Sequence, residues 1–316
     1  MNAIVEREKG LIELEERIAA LKAYAAQQPV DLTAEIAALE SKYGQIQREI
    51  FGSMTPWQRV NMARHPKRPL GSDYIAALDQ FDELHGDRHF RDDHAIVGGF
   101  AKLRGRRVVA IAQDKGRDTK EKVLRNFGMP SPEGYRKVRR LVKLADHLNL
   151  PVVTFVDTSG ADPGIGSEER AQGEAIAQSL YELAAVGVPV VATIIGEGGS
   201  GGALALALAD RVLMLEHAVY SVASPEGAAA ILWGDAGRAE EAASRLKLTS
   251  GDLLQFGIVD QVIAEPLGGA HRDPVGVIGA VLSAVDDALT TLTTVPPDQL
   301  RDRRYAKFRR IGLAVP

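Results

Sequence analysis

The stretch from Val188 to Asp210 limits what this chain can fold into more than any other. An apolar, β-branched run, Val188-Pro189-Val190-Val191-Ala192-Thr193-Ile194-Ile195, empties into Gly196-Glu197-Gly198-Gly199-Ser200-Gly201-Gly202 and then into Ala203-Leu204-Ala205-Leu206-Ala207-Leu208-Ala209-Asp210. The first run reads as a buried strand and the last as a helix. Glycines remove Cβ atoms where the backbone must turn sharply, so the amides of Gly201 and Gly202 can point at whatever sits above the helix N-terminus. That is an oxyanion or phosphate site.

Three chemistries fit such a turn. Gly196-x-Gly198-x-x-Gly201 matches the dinucleotide fingerprint, with Glu216 downstream as a ribose ligand. Gly198-x-Ser200-x-Gly202 matches a nucleophile elbow, which makes a serine hydrolase the alternative, with Asp235, Asp252 or Asp260 as its acid and His271 as its base. The third is an amide oxyanion hole in an acyl-CoA enzyme. A plain strand-to-helix turn, glycine-rich for close packing, needs none of them. A Walker A loop is excluded, because no Lys-Ser or Lys-Thr follows the glycines.

Charge and cysteine narrow the partners. With 38 basic and 42 acidic residues among 316, the chain is not a general nucleic-acid binder, and any basic patch must be local. Absence of cysteine excludes disulfides, thiol nucleophiles and cysteine metal sites, and suits a cytoplasmic protein. The first residues lack an apolar signal core, and no uninterrupted apolar run approaches the roughly twenty residues of a membrane span.

Residues 1–52 read as an α-helical hairpin. Leu11, Leu14, Ile18 and Leu21 share one face, Ile36, Leu39, Tyr43, Ile46 and Ile50 share another, and Gln27-Gln28-Pro29-Val30-Asp31 breaks the pattern with Asp31 or Thr33 as cap. Such narrow stripes suit a partner-binding arm. Within residues 53–316, a helix is expected over 72–84. The cluster Glu83 to His89 lacks metal-ligand spacing and reads as a loop with internal ion pairs. Strands follow at 95–100 and 108–113. A cationic loop, with Lys115, Arg117 and Lys120, is suited to an anionic ligand.

A further strand, Val152 to Val156, ends in Asp157-Thr158-Ser159-Gly160-Ala161-Asp162-Pro163-Gly164, and one long helix is expected over 167–185. Two successive strand, glycine loop, helix units place both loops at one edge of a largely parallel sheet, so Gly160, Gly164, Gly198 and Gly199 join Gly201 and Gly202 as site candidates. Further elements are expected at 212–216, 219–222, 236–246, 258–263 and 274–292, followed by a basic tail, Arg301 to Arg310.

Four stretches, Asn126-Phe127-Gly128-Met129-Pro130, the Gly196 to Gly202 turn, Ser224-Pro225-Glu226-Gly227 and Glu265-Pro266-Leu267-Gly268-Gly269-Ala270-His271-Arg272, together closely resemble the alpha-subunit family of bacterial acetyl-coenzyme A carboxylase carboxyltransferases. The resemblance runs over almost the whole length. That family usually carries proline where this chain has Ser159, and often an aromatic at Asp162. The resemblance implies a crotonase-like fold, a ββα spiral with oxyanion holes at helix N-termini, and transfer of a carboxyl group from carboxybiotin on a biotin carboxyl carrier protein to acetyl-CoA, giving malonyl-CoA. It implies a beta subunit with a zinc ribbon in an α2β2 assembly, biotin carboxylase in the full complex, no metal on this chain, and Gly201 and Gly202 facing the ureido oxygen.

Overall fold

The computed structural model describes residues 3–28 and 30–312. Pro29, given a part in separating the first two helices, lies outside them. The hairpin is present as α1 (Ala3–Gln27) and α2 (Thr33–Phe51). Leu32, not Asp31 or Thr33, takes the cap position of α2, although Asp31 accepts the Thr33 amide at 3.0 Å. The root of α1 is built into the body: Ile4 and Leu11 pack with Phe51, Met54 and Met62 in one buried cluster. Next come α3 (Pro56–Ala63), opened by Thr55 in a capping box with Gln58, and α4 (Gly71–Ala76).

The helix expected over 72–84 stops at Ala76, and β1 (Gln80–Glu83) replaces its second half. Pairing wins over propensity here, because β1 lies antiparallel against β2 (Ile96–Leu103), which itself pairs antiparallel with β3 (Arg106–Gln113). The Glu83 to His89 segment is the expected ion-paired loop: His85 meets Glu83 and Asp92, and Asp87 accepts the amides of His89, Phe90 and Arg91.

After α5 (Thr119–Leu124) and α6 (Pro132–His147) the sheet turns parallel, with β4 (Val152–Thr158) beside β3. The helix expected over 167–185 is two, α7 (Ile165–Glu169) and α8 (Gln172–Ala185). Ala171 between them is left-handed at φ 63°, while Arg136 holds the Arg170 carbonyl and Gln172 reaches the Pro130 and Asp162 carbonyls. β5 (Val190–Gly199) then pairs in parallel with β4, and α9 (Ser200–Ala207) follows, ending three residues short of Asp210. β6 (Arg211–Leu215), β7 (Val219–Ser221), α10 (Pro225–Trp233), α11 (Ala239–Leu246), α12 (Ser250–Gln255) and β8 (Gln261–Ile263) complete an eight-stranded sheet of path β1-β2-β3-β4-β5-β6-β8, with β7 pairing β5 off that path.

The strand expected over 258–263 keeps only its last three residues, and residues 236–238 form a 3-10 turn ahead of α11. Helix α13 (Pro274–Leu292) is long and apolar enough to cross a membrane, but it lays Val277, Val281, Val285 and Leu289 into the core. The basic tail is corrected to a helix, α14 (Pro297–Arg310). Arg304 on it is 1% exposed, pairs with Asp210 and donates to the carbonyls of Leu183, Val186 and Val188. Its charge is consumed inside, where a run of basic residues ordinarily marks a solvated face.

Candidate active site at the glycine turn

The left-handed residue of the turn is Ser200, at φ 54°, not one of its glycines. The glycines answer to packing. A Cβ on Gly199 would lie 2.1 Å from the Ser159 carbonyl oxygen, and one on Gly202 2.6 Å from the Ala161 nitrogen, so the second loop sits directly on the first. Gly198 presses on the Tyr220 ring in the same way. Gly201 differs: its Cβ would meet only Ile176, at 3.5 Å. The amides of Gly201 and Gly202 open α9, and among the described residues neither donates outside the helix.

Beneath the turn lies a chain of charge, buried at Asp157 and Glu197. Lys115 Nζ stands 2.7 Å from both Asp157 Oδ1 and Glu197 Oε2, and Arg64 bridges Glu197, at 2.6 Å, to Glu226, at 2.5 Å. The Glu197 amide donates to Asp157 at 2.8 Å. Burial opposes the Glu197 charge, but Lys115 and Arg64 outweigh it and pull its pKa down to about 2. Burial likewise opposes the Lys115 ammonium, and the two carboxylates overcome it and raise its pKa.

The remaining candidates separate. Lys115 is a structural cation under the turn rather than a member of an exposed patch, whereas Arg117 and Lys120 are exposed and Arg117 pairs with Asp73 at 2.5 Å. The Gly160 amide is taken by Thr158 Oγ1 and the Gly164 amide by Asp162 Oδ1, so both line a wall with no amide to offer. Asp162 also accepts from Ser167 Oγ at 2.5 Å, which gives this residue a capping task of its own. In front of Ser200 and Gly201 opens a cleft of about 650 Å³ lined by Leu204, Tyr220, Val222, Phe256 and Phe308.

Among the described residues no imidazole or carboxylate lines that cleft. The proposed hydrolase partners are occupied elsewhere: His271 bonds Glu8, Asp260 pairs with Lys307, and Asp235 and Asp252 take the Gly237 and Thr249 contacts of helix caps. Glu216, the ribose candidate, accepts the Glu265 amide instead.

A family profile described as acetyl co-enzyme A carboxylase carboxyltransferase-like matches residues 4–312. The acetyl-coenzyme A carboxylase carboxyl transferase subunit alpha of Sorangium cellulosum is 53% identical over 314 residues, covering 99% of each chain. That of Synechococcus elongatus is 51% identical over 311 residues, covering 98% of this chain and 95% of its own. The chain belongs to this family.

Solved structures agree on the carboxyltransferase family's crotonase-like fold. Transcarboxylase 12S, with methylmalonyl-coenzyme A bound, superposes with a TM-score of 0.57 at 23% identity, over 70% of this chain and 41% of its own. A Pseudomonas malonate decarboxylase hetero-tetramer in complex with coenzyme A gives 0.56 at 18% identity, over 68% of this chain and 88% of its own. Sequence reading missed what this carboxyltransferase subunit builds below its turn: Arg64, Asp157, Glu197 and Glu226 come from four distant segments, and no spacing rule joins them. A carboxylate inside the glycine run, Glu197, was the one available signal, since a buried charge must find a partner.

Proposed function

We propose that this chain is the half of an acetyl-CoA carboxyltransferase that receives the ureido group of carboxybiotin, giving malonyl-CoA together with a beta subunit that supplies the acyl-CoA half and a zinc ribbon. The observation that carries this is the Gly201 amide at the foot of an apolar cleft, followed by the more deeply buried Gly202 amide, neither with a partner outside α9 among the described residues. A flat ring fits such a mouth because Gly201 has no side chain and little stands where one would be. Carboxybiotin, brought by its carrier protein, supplies the carboxyl group and a ureido nitrogen basic enough to take the acetyl methyl proton as the carboxyl departs.

The chain's own work is then electrostatic. Two N–H groups aimed at a developing oxyanion are worth about 3 kcal/mol each in a dry site, and the Lys115, Asp157, Glu197 and Arg64 chain fixes the strand that aims them. No side-chain acid or base is required, which fits a cleft lined by no imidazole or carboxylate among the described residues. The α2β2 assembly, recruitment of the carrier and of biotin carboxylase, a role for Arg117 and Lys120 toward an anionic partner, and for the outer hairpin toward the beta subunit, belong to the same proposal, as does cytoplasmic work. Purified alone, the chain is expected to be inactive on acetyl-CoA and carboxybiotin. Co-expressed with a beta subunit it gains turnover, and activity of the isolated chain would refute the division of labour.

A further inference from the structure

Segment 64–68 ties three parts of the molecule together. Arg64 reaches forward to Glu197 of β5, at 2.6 Å. His65 turns the other way: its Nε2 lies 3.0 Å from Glu8 Oε2 of α1, and its ring stacks on His271, centroids 3.7 Å apart. His271 Nε2 meets the other Glu8 oxygen at 3.0 Å. Arg68 donates to the Ile195 carbonyl at 2.7 Å and grips Glu265, which also accepts the His217 and Ala270 amides. Ile195 and Glu197 both lie in the second half of β5, so the segment is a buckle between the hairpin and the strand that aims the oxyanion amides.

The trio resembles a metal site, but hydrogen bonds explain it. His65 Nδ1 accepts the Lys67 amide, which leaves the proton on Nε2 to face Glu8. The rings lie within 18° of parallel, so a cation in the plane of one would stand well out of the plane of the other. Glu8 is 2% exposed, an expensive place for a carboxylate that did no more than decorate a helix.

We infer that Glu8 is a positioning residue for the carboxyl-transfer step: the docked root of α1 holds His65 and His271, and through Arg64 and Arg68 it sets the Gly201 and Gly202 amides. This rests on the function proposed above. Titration supports it. Burial lowers the His271 pKa against the pull of Glu8, and its Nδ1 is buried with no partner among the described residues. Around it stand Glu8 and Glu15 of α1, Tyr43 of α2, His65, and Arg272 beside it, which is itself paired to Glu15. The unfolded imidazole therefore takes a proton first, and the folded cluster loses stability as pH falls from the ordinary value of 6.5 toward the lowered one.

The experiment uses the assembled alpha–beta complex with Glu8→Gln, Arg64→Lys, the double variant, and Glu13→Gln on the exposed side of the same helix. Expected for Glu8→Gln is a fall in kcat on the order of tenfold with KM for acetyl-CoA little changed, since misaimed groups lose rate before binding. The double variant with Arg64→Lys is non-additive, and Glu13→Gln matches wild type. In wild type, amide exchange protection at residues 4–12 and kcat decline together below pH 6.5. A Glu8→Gln complex that loses thermal stability or subunit affinity but keeps kcat per assembled complex, or additive effects, overturns the inference. A wild-type complex with no carboxyltransferase activity sinks the proposed function instead and leaves the pH-dependent docking of the arm standing.

Discussion

The molecule contains the same pattern twice, a parallel strand running into glycines and then a helix, with opposite results. After β4 the chain spends residues 159–164 on a loop whose Gly160 and Gly164 amides bond to Thr158 and Asp162 before α7 begins. After β5 there is no loop: the strand ends at Gly199, the helix starts at Ser200, and the Gly201 and Gly202 amides are left over. The difference is one of internal acceptors. Thr158 and Asp162 sit where they can capture the first unit's amides, whereas the second unit has glycines there. The first loop becomes the wall against which the second is built.

Breaking that contrast at its most sensitive point should have the largest effect. Gly201→Val puts a side chain where only Ile176 stands nearby, so the subunit folds and binds its partner, but kcat falls by a hundredfold or more, roughly the loss of one oxyanion donor plus a blocked mouth. Normal turnover by a folded Gly201→Val complex would return the turn to a packing role. Gly202→Val, with Ala161 at 2.6 Å, should instead cost folding, visible as aggregation or a lowered melting point.

Next comes the base of the turn. Lys115→Met leaves Asp157 and Glu197 facing each other buried, and should destabilise by about 3–5 kcal/mol in denaturant melts. A charge reversal at exposed Lys120 should leave the melt unchanged. Because the folded Glu197 pKa is about 2 against an ordinary 4.5, its contribution is complete above pH 4.5 and fades as pH falls toward 2. Burial already raises the Asp157 pKa, and Lys115→Met removes the ammonium that opposes that rise, so the stability lost should be greater at pH 7 than at pH 5.

The smallest effects sharpen the comparison from the other side. Gly164→Ala in the first unit keeps an ordinary φ of −67° and meets Asp162 at 3.3 Å, so activity should stay within about twofold. Ser200→Ala should be as mild, since alanine tolerates the left-handed backbone no worse than serine. A dead Ser200→Ala, or an acyl adduct on Ser200 by mass spectrometry, would favour hydrolase chemistry.

The contrast also shows what was legible in the sequence. The β5 turn could be read because its signals are local: β-branched residues, then glycine, then alanine and leucine. The break at Ala171 could not, since Gln172 and Arg136 impose it by reaching carbonyls outside the helix. Strand β1 depends on its partner, and residues 80–83 carry little strand character of their own. The partners of Lys115, read as part of a loop for an anionic ligand, and of Arg304, read as part of a basic tail, could not be read, because nothing near either in sequence reveals the buried carboxylate it meets.

Arg304 has a consequence in time as well as in space. The carbonyls it caps at Leu183 and Val188 precede it by 121 and 116 residues, so throughout synthesis of that span they have no such donor. The junction feeding β5 closes when one of the last helices leaves the ribosome, after every strand of the sheet has been made. Released chains truncated before residue 304 should be cut by protease between α8 and β5, and released chains that carry all of α14 should be protected.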